Sequence, residues 1–320
     1  MTLIDRIMEA DSGLRPQIPE TPLERSERLS ADLGCDVWLK LDHLQPTGSF
    51  KARGSANKIR VLGDAARKTG VITSSTGNHG QGVARAGKLA RVKVTIYLCP
   101  QAPAAKVAAM KALGAEIVMV DGLPLDAELE ARRQSELQGK PYVAPYNDLD
   151  VIAGQGTLGA ELARQADDLD AVFVNVGGGG LISGVGTAMK ALSPRTQVVA
   201  VWPKASTCML DSLNAGEIIQ TPEYETFSEA STGAIEPGSV TFSICQQVID
   251  EKLTVEEVEI ARAMRRVAEA ERWMIEGAAG VPLAGLIQVA PQYRGKKVAV
   301  VICGRNIALD LWQRAMTLAQ

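Results

Sequence analysis

Gln45-Pro46-Thr47-Gly48-Ser49-Phe50-Lys51 sets a lysine directly after a glycine-bearing turn and at the start of a predicted helix. A lysine held in such a place can be desolvated, lose its proton and attack a carbonyl to form an imine. Most lysines are solvated surface charges, so the run gains meaning from its company. Ser75-Thr76-Gly77-Asn78-His79 gathers two hydroxyls, an amide and one of only 2 histidines. Gly177, Gly178, Gly179 and Gly180 form an unbroken glycine run, and the last apolar run ends in Cys303-Gly304-Arg305-Asn306.

Each run has a bland reading beside the chemical one. Consecutive glycines between a strand and a helix let backbone N–H groups converge, and the helix N-terminus adds positive partial charge, so the loop suits a phosphate. It also suits a dinucleotide loop or a plain tight turn. However, the spacing is not a useful GxGxxG, and Lys190 stands too far off to be a Walker lysine. The Ser75–Asn78 turn suits a carboxylate at a helix start, and Asn78 offers a neutral donor. Ser, Thr and Asn are equally the usual N-capping residues. His79 reads as structural rather than as a general base. Cys303 is either core packing or a ligand contact, since open α/β sheets bind ligands at the C-terminal ends of their strands.

The elements that must carry these residues alternate. Strand-like runs fall at 37–41, 71–74, 94–98, 116–120, 172–176, 198–201 and 298–302, with helical spacing at 82–89, 105–113, 159–165, 185–192 and 307–318. This alternation predicts an α/β fold with mostly parallel sheets covered by helices. Runs such as Val298-Ala299-Val300-Val301-Ile302 are apolar throughout, as strands covered on both faces are. The segment 216–240 is the richest in loop signals and is expected to wrap the surface near the site.

Composition removes several classes. With 34 Lys+Arg against 37 Asp+Glu and 4% aromatic residues, the chain offers no basic or base-stacking surface, so no nucleic-acid partner is expected. No stretch is apolar for long enough to span a bilayer, so no membrane partner is expected either. The 5 scattered cysteines form no CxxC pair and read as reduced thiols, pointing to a cytoplasmic location. Two histidines rule out a His-rich metal site. The 320 residues suggest about two domains.

Taken in order, the runs at 44–51, 75–79, 152–157 (Ile-Ala-Gly-Gln-Gly-Thr), 177–184 and 276–278 (Glu-Gly-Ala) resemble the fold-type-II enzymes that use pyridoxal 5'-phosphate (PLP). The likeness is to the threonine/serine dehydratase and serine racemase group, and it spans nearly the whole chain. It implies a tryptophan synthase β-like fold of two open, twisted, mostly parallel sheets. A small inserted domain would cover 61–148 and a large PLP-binding domain 1–60 plus 149–320. It further implies that Lys51 carries the cofactor as an imine, with Phe50 beside the ring and Asn78 on its phenolic oxygen. Backbone amides of Gly177, Gly178, Gly179, Gly180 and Leu181 would hold the phosphate. Gly233 and Glu276 would lie near the ring and Cys303 would face its nitrogen. Ser75, Thr76, Asn78 and His79 would frame the substrate carboxylate. The implied reaction is loss of water from a β-hydroxy amino acid of the L-threonine/L-serine type, giving a 2-keto acid and ammonia. Lys51 would take the Cα proton and the cofactor phosphate would protonate the leaving hydroxyl. A homodimer is implied as well.

The chain departs from this group at several positions. Racemases of the group carry, where this chain has Thr76, a serine that serves the second face of Cα; the resemblance thus implies a catalytic Thr76 beside Lys51, which keeps the hydroxyl on a β-branched residue with restricted χ1. The group's cation site uses acidic residues in the segment matching 202–208, which here holds no carboxylate, so no metal is expected. Thr232-Gly233 and Gly304-Arg305-Asn306 also differ from the usual pattern. Thr76 with Arg305 resembles dehydratases of ectoine and hydroxyectoine breakdown, which would act on a larger hydroxylated diamino acid. Arg305 would then meet an extra carboxylate or simply pair on the surface. A racemase, a β-replacement synthase, a non-catalytic binding protein and a Rossmann-type nucleotide-binding protein are the competing readings. The last leaves Lys51 and Asn78 without a role.

Overall fold

The structure is a computed structural model that describes residues 1–320. Its strands are β1 (Leu23–Arg25), β2 (Asp36–Lys40), β3 (Val71–Ser74), β4 (Val94–Leu98), β5 (Glu116–Met119), β6 (Ala171–Asn175), β7 (Gln197–Pro203), β8 (Glu251–Val255) and β9 (Lys297–Val301). They form a six-stranded sheet in the order β1-β2-β9-β6-β7-β8 and a three-stranded sheet in the order β3-β4-β5. Every pairing is parallel except β1 with β2. The mostly parallel α/β expectation therefore holds. Every residue of β4 and of β6 is buried, as continuous apolar runs require.

Strand order positions the chemistry. β2, β9 and β6 are neighbours and run parallel, so their C-terminal ends lie side by side. The end of β2 leads into the turn before Lys51, the end of β9 into Cys303, and the end of β6 into the glycine run. In open parallel sheets this edge is where ligands bind. The end of β3, in the smaller sheet, leads into Ser75–Asn78.

Helix packing holds the two sheets together. Leu149–Gln165 crosses both the Lys51–Thr69 helix and the Gly180–Leu192 helix at close range. A Cβ on Gly154 would come 2.7 Å from the Arg53 carbonyl oxygen, and one on Gly184 would come 2.5 Å from the Ile152 carbonyl oxygen. The 152–157 run is thus the surface on which the lysine helix and the glycine-run helix converge.

Beneath Lys51 lies a buried ionic network. Arg53 donates to Asp42 at 2.7 Å and to Glu161 at 2.7 and 2.8 Å. Lys40 donates to Glu161 at 2.6 Å, to the Thr21 carbonyl at 2.7 Å and to Gln165 at 2.8 Å. Burial pushes the Glu161 carboxyl up, but Arg53 and Lys40 outweigh it and hold the group at about 2. Among the helices, none is long and apolar enough to cross a membrane.

Candidate active site

The turn that presents Lys51 is zipped onto the end of β9. Phe50 N–H donates to the Cys303 carbonyl at 2.9 Å, Arg305 N–H to the Gly48 carbonyl at 2.9 Å, and Asn306 Nδ2 to the Thr47 carbonyl at 2.7 Å. Gly48 sits at φ +74, and a Cβ there would come 2.7 Å from Asn306 Oδ1. The lysine is therefore fixed at the helix start by backbone contacts with the segment that follows the central strand.

Lys51 Nζ donates to the Pro145 carbonyl at 2.6 Å and lies 5.3 Å from the Phe50 ring centroid. Burial lowers its pKa to about 8, against the opposing pull of Cys303 and Glu276. No carboxylate pairs with the amine. A half-buried amine facing a carbonyl oxygen, with no carboxylate partner, is able to lose a proton and act as a nucleophile or base.

The glycine bend lies on the other side of the same short segment. Tyr146 follows Pro145, and a Cβ on Gly178 would come 2.6 Å from the Tyr146 ring, while one on Gly180 would come 2.9 Å from Tyr146 Cβ. A Cβ on Gly177 would come 2.9 Å from Ser231 Cα, and Gly179 sits at φ +84. Side chains at Gly177, Gly178 and Gly180 are excluded by Ser231 and Tyr146. The bare backbone opens the Gly180–Leu192 helix with no side-chain cap. Helix-start N–H groups that no side chain caps are able to bind an anion. Segment 145–146 thus joins the amine to the cradle.

Asn78 and Glu276 close the site from opposite sheets. Asn78 Nδ2 donates to both Glu276 oxygens at 3.0 and 3.1 Å, Asn306 N–H donates to Glu276 at 2.9 Å, and Asn306 Nδ2 to Asn78 Oδ1 at 2.6 Å. Burial raises the Glu276 carboxyl, and the Asn78 and Asn306 hydrogen bonds oppose it. Cys303 is buried, and burial raises its thiol well above the usual value, with the Glu276 and Asp42 charges adding to the rise. It therefore stays a neutral thiol.

Ser75, Thr76 and Gly77 are half-buried just before the Asn78–Ala90 helix, which has no side-chain cap. Gly77 N–H donates to Ser75 Oγ at 3.2 Å. His79 Nε2 contacts the Val143 carbonyl at 2.9 Å, so the neutral ring donates from Nε2. Burial and the Lys51 charge pull its pKa to about 3, consistent with a structural histidine rather than a base.

Two residues from the sequence reading stand apart from this cluster. Gly233 is exposed at φ +122, with its N–H on Glu223 at 2.6 Å; the neighbouring Ala234 carbonyl accepts from Tyr146 at 3.4 Å. The Arg305 side chain is exposed and pairs with no carboxylate, so of its two alternatives the surface pair is not formed, while its N–H stays on the Gly48 carbonyl. The sequence reading missed Pro145, Tyr146, Ser231 and Asn306, although Asn306 stood directly beside a residue that had been singled out.

A half-buried lysine with no carboxylate partner, a glycine bend at a helix start and the Ser75–Asn78 helix start gather near the C-terminal ends of parallel strands, the arrangement of a fold-type-II PLP enzyme. The chain belongs to the pyridoxal-phosphate dependent enzyme family, whose model matches residues 14–304. It is 37% identical over 314 residues to the L-threonine ammonia-lyase of Thermotoga maritima, covering 98% of this chain and 78% of that one. It is 35% identical over 305 residues to the L-threo-3-hydroxyaspartate ammonia-lyase of a Pseudomonas species, covering 95% of each. Its fold superposes on the processed form of threonine deaminase isoform 2 from Solanum lycopersicum with a TM-score of 0.95 at 33% identity, covering 99% of this chain and 93% of that one. Maize serine racemase superposes with a TM-score of 0.91 at 31% identity, covering 98% and 96%. The protein is a PLP-dependent lyase of the dehydratase type, and pyridoxal phosphate is its cofactor.

Proposed function

We propose that the protein removes water from a β-hydroxy amino acid of the L-threonine/L-serine type, releasing a 2-keto acid and ammonia. The observation that carries this reading is the Lys51 amine, half-buried, without a carboxylate partner and held against the Pro145 carbonyl beside the glycine bend. The residues present fit the cofactor, because the Lys51 amine has no carboxylate partner and the glycine run opens the Gly180–Leu192 helix with no side-chain cap. Lys51 would hold it covalently, amides of Gly177 through Leu181 its phosphate, and Asn78 its phenolic oxygen. Phe50, Gly233, Glu276 and Cys303 would surround the ring. When bound, PLP supplies an electron sink for the bond broken at the substrate Cα.

The protein's own residues do the rest. The Ser75–Asn78 turn and the helix behind it orient the substrate carboxylate. Lys51, with a pKa near neutrality, takes the Cα proton. The β-hydroxyl leaves as water with one added proton, and the released enamine hydrolyses to keto acid and ammonia. Cys303, a neutral thiol, would present no charge to the ring nitrogen of the bound cofactor, an arrangement that would favour loss of a β-leaving group over transamination.

Threonine, serine and L-threo-3-hydroxyaspartate form the first substrate panel, since relatives are named for two of them. A larger hydroxylated diamino acid, from the resemblance to hydroxyectoine-pathway dehydratases, is the next. We further propose a homodimer, on the family resemblance alone, a reducing cytoplasm, supported by 5 unpaired cysteines, and a small domain over 61–148, supported by the separate β3-β4-β5 sheet. Keto acid and ammonia formed in equal amounts from at least one panel member would support the reaction. Inversion of the residual amino acid without keto acid would replace it with the racemase reading, and no product from any member would overturn it.

A further inference from the structure

Ser231 walls the glycine bend with its backbone: a Cβ on Gly177 would come 2.9 Å from the Ser231 Cα and from its carbonyl oxygen. Its side chain is tied to the end of β6, since Asn175 Nδ2 donates to Ser231 Oγ at 2.7 Å, two residues before Gly177. Thr232 and Gly233, which follow, are exposed and belong to no strand or helix. What fixes them is a side chain from ten residues upstream. Glu223 Oε1 accepts from the Gly233 N–H at 2.6 Å and from Ser206 Oγ at 2.8 Å. Ser206 is buried three residues beyond β7, and its Oγ lies 3.3 Å from the Ser231 carbonyl. Tyr224 N–H donates to the Ala205 carbonyl at 2.9 Å, which lays the backbone of Glu223 beside Ser206.

Resting on the function proposed above, we infer that Glu223 is a positioning residue for the cofactor's phosphate: it clasps Gly233 to Ser206 and so holds Ser231 against the glycine bend. A carboxylate that accepts a backbone N–H forms one of the stronger protein hydrogen bonds. Gly233, at φ +122, has more backbone freedom than any residue with a side chain, so its conformation depends on an outside hold. The next hold along the chain is Tyr146, whose hydroxyl donates to the Ala234 carbonyl at 3.4 Å and accepts from the Glu236 N–H at 3.1 Å. Tyr146 also roofs Gly178 and Gly180. Segment 231–236 is therefore a strap beside the bend, tied by Glu223 near one end and by Tyr146 at the other. A binding site is only as exact as the contacts that support its innermost layer, and Glu223 belongs to that support. It reaches the bend through Ser231 and Gly233 and makes no bond to Lys51. Its loss is thus expected in the binding of the phosphate end of the cofactor and not in imine formation.

The test titrates wild-type, Glu223→Ala and Glu223→Gln apoprotein with PLP and, separately, with pyridoxal, which has the same aldehyde and no phosphate. Hydrogen exchange of the Gly233 amide is read beside both titrations. Glu223→Ala removes the acceptor, so the Kd for PLP should rise about tenfold, the scale of one lost hydrogen bond to a charged group. The Kd for pyridoxal should stay within about twofold, and the Gly233 amide should exchange faster. Glu223→Gln keeps an oxygen acceptor and should hold the PLP Kd within about threefold of wild type. A Glu223→Ala protein that binds PLP as the wild type does would overturn the inference. So would one that loses PLP and pyridoxal equally, since that is general damage, or a Glu223→Gln protein no better than Glu223→Ala. A wild type that binds pyridoxal as tightly as PLP would instead sink the placement of the phosphate on the glycine bend. The Gly233 amide would then decide the clasp, and unchanged exchange in Glu223→Ala would overturn it.

Discussion

Lys51 should accept PLP at near-neutral pH because burial lowers its pKa to about 8 from the ordinary 10.5. At pH 7.4 this leaves about 20% of the amine neutral, against less than about 0.1% for a solvated lysine, a gain of roughly 300-fold in the reactive form. The neutral amine is the nucleophile, so the loading rate of the apoprotein must rise with pH through about 8 and level off above about 9. Rapid-mixing absorbance of apoprotein with PLP from pH 6.5 to 9.5 measures it. A rate still climbing tenfold per pH unit at 9.5 would refute the reasoning, since it would mean an unshifted lysine. Glu276→Gln removes a negative charge that holds the proton on Lys51, so it should move the midpoint down. The same shift leaves a stability signature. Because the folded pKa is below the unfolded one, the unfolded chain binds more protons between about 8 and 10.5. Apoprotein stability should therefore rise with pH across that window, relative to Lys51→Met, by up to roughly 3 kcal/mol.

Glu161→Gln removes the anion shared by buried Arg53 and Lys40 and should cost about 3–5 kcal/mol in urea unfolding at pH 7. In the wild type, Glu161 is held at about 2, so its contribution should be present above the ordinary carboxylate pKa of 4.5 and fade as pH falls toward 2. Gly178→Ala sets a methyl 2.6 Å from the Tyr146 ring and should raise the Kd for PLP by about tenfold, measured by absorbance titration. Asn78→Ala takes the side-chain donor away from Glu276 and should raise that carboxyl further, seen as a changed pH dependence of the bound cofactor's spectrum.

The order of elements was legible because strands such as β6 and β9 are apolar on both faces, and their observed bounds differ from the expected ones by one residue. β1 and β8 were missed. Each is an edge strand, and their residues, Leu-Glu-Arg and Glu-Lys-Leu-Thr-Val, are half polar because one side meets solvent. The residues of the site were legible where chemistry and chain order coincide, as at Lys51, Asn78 and the glycine run. Pro145 and Tyr146 carry no such mark: a carbonyl that holds an amine can belong to any residue, and an aromatic that roofs a glycine bend 32 residues downstream is visible only once the chain is folded. Lys40, Arg53 and Glu161 carry no mark in the sequence, yet all three are buried, because Glu161 pairs with both cations, which come from β2 and a different helix.

Everything rests on a covalent bond between Lys51 and the cofactor aldehyde. Borohydride reduction of the PLP-loaded protein, followed by peptide mass mapping, tests it directly. A stable pyridoxyl adduct on Lys51, with loss of the visible absorbance, is the predicted result. An adduct on another lysine, or none, would contradict the account.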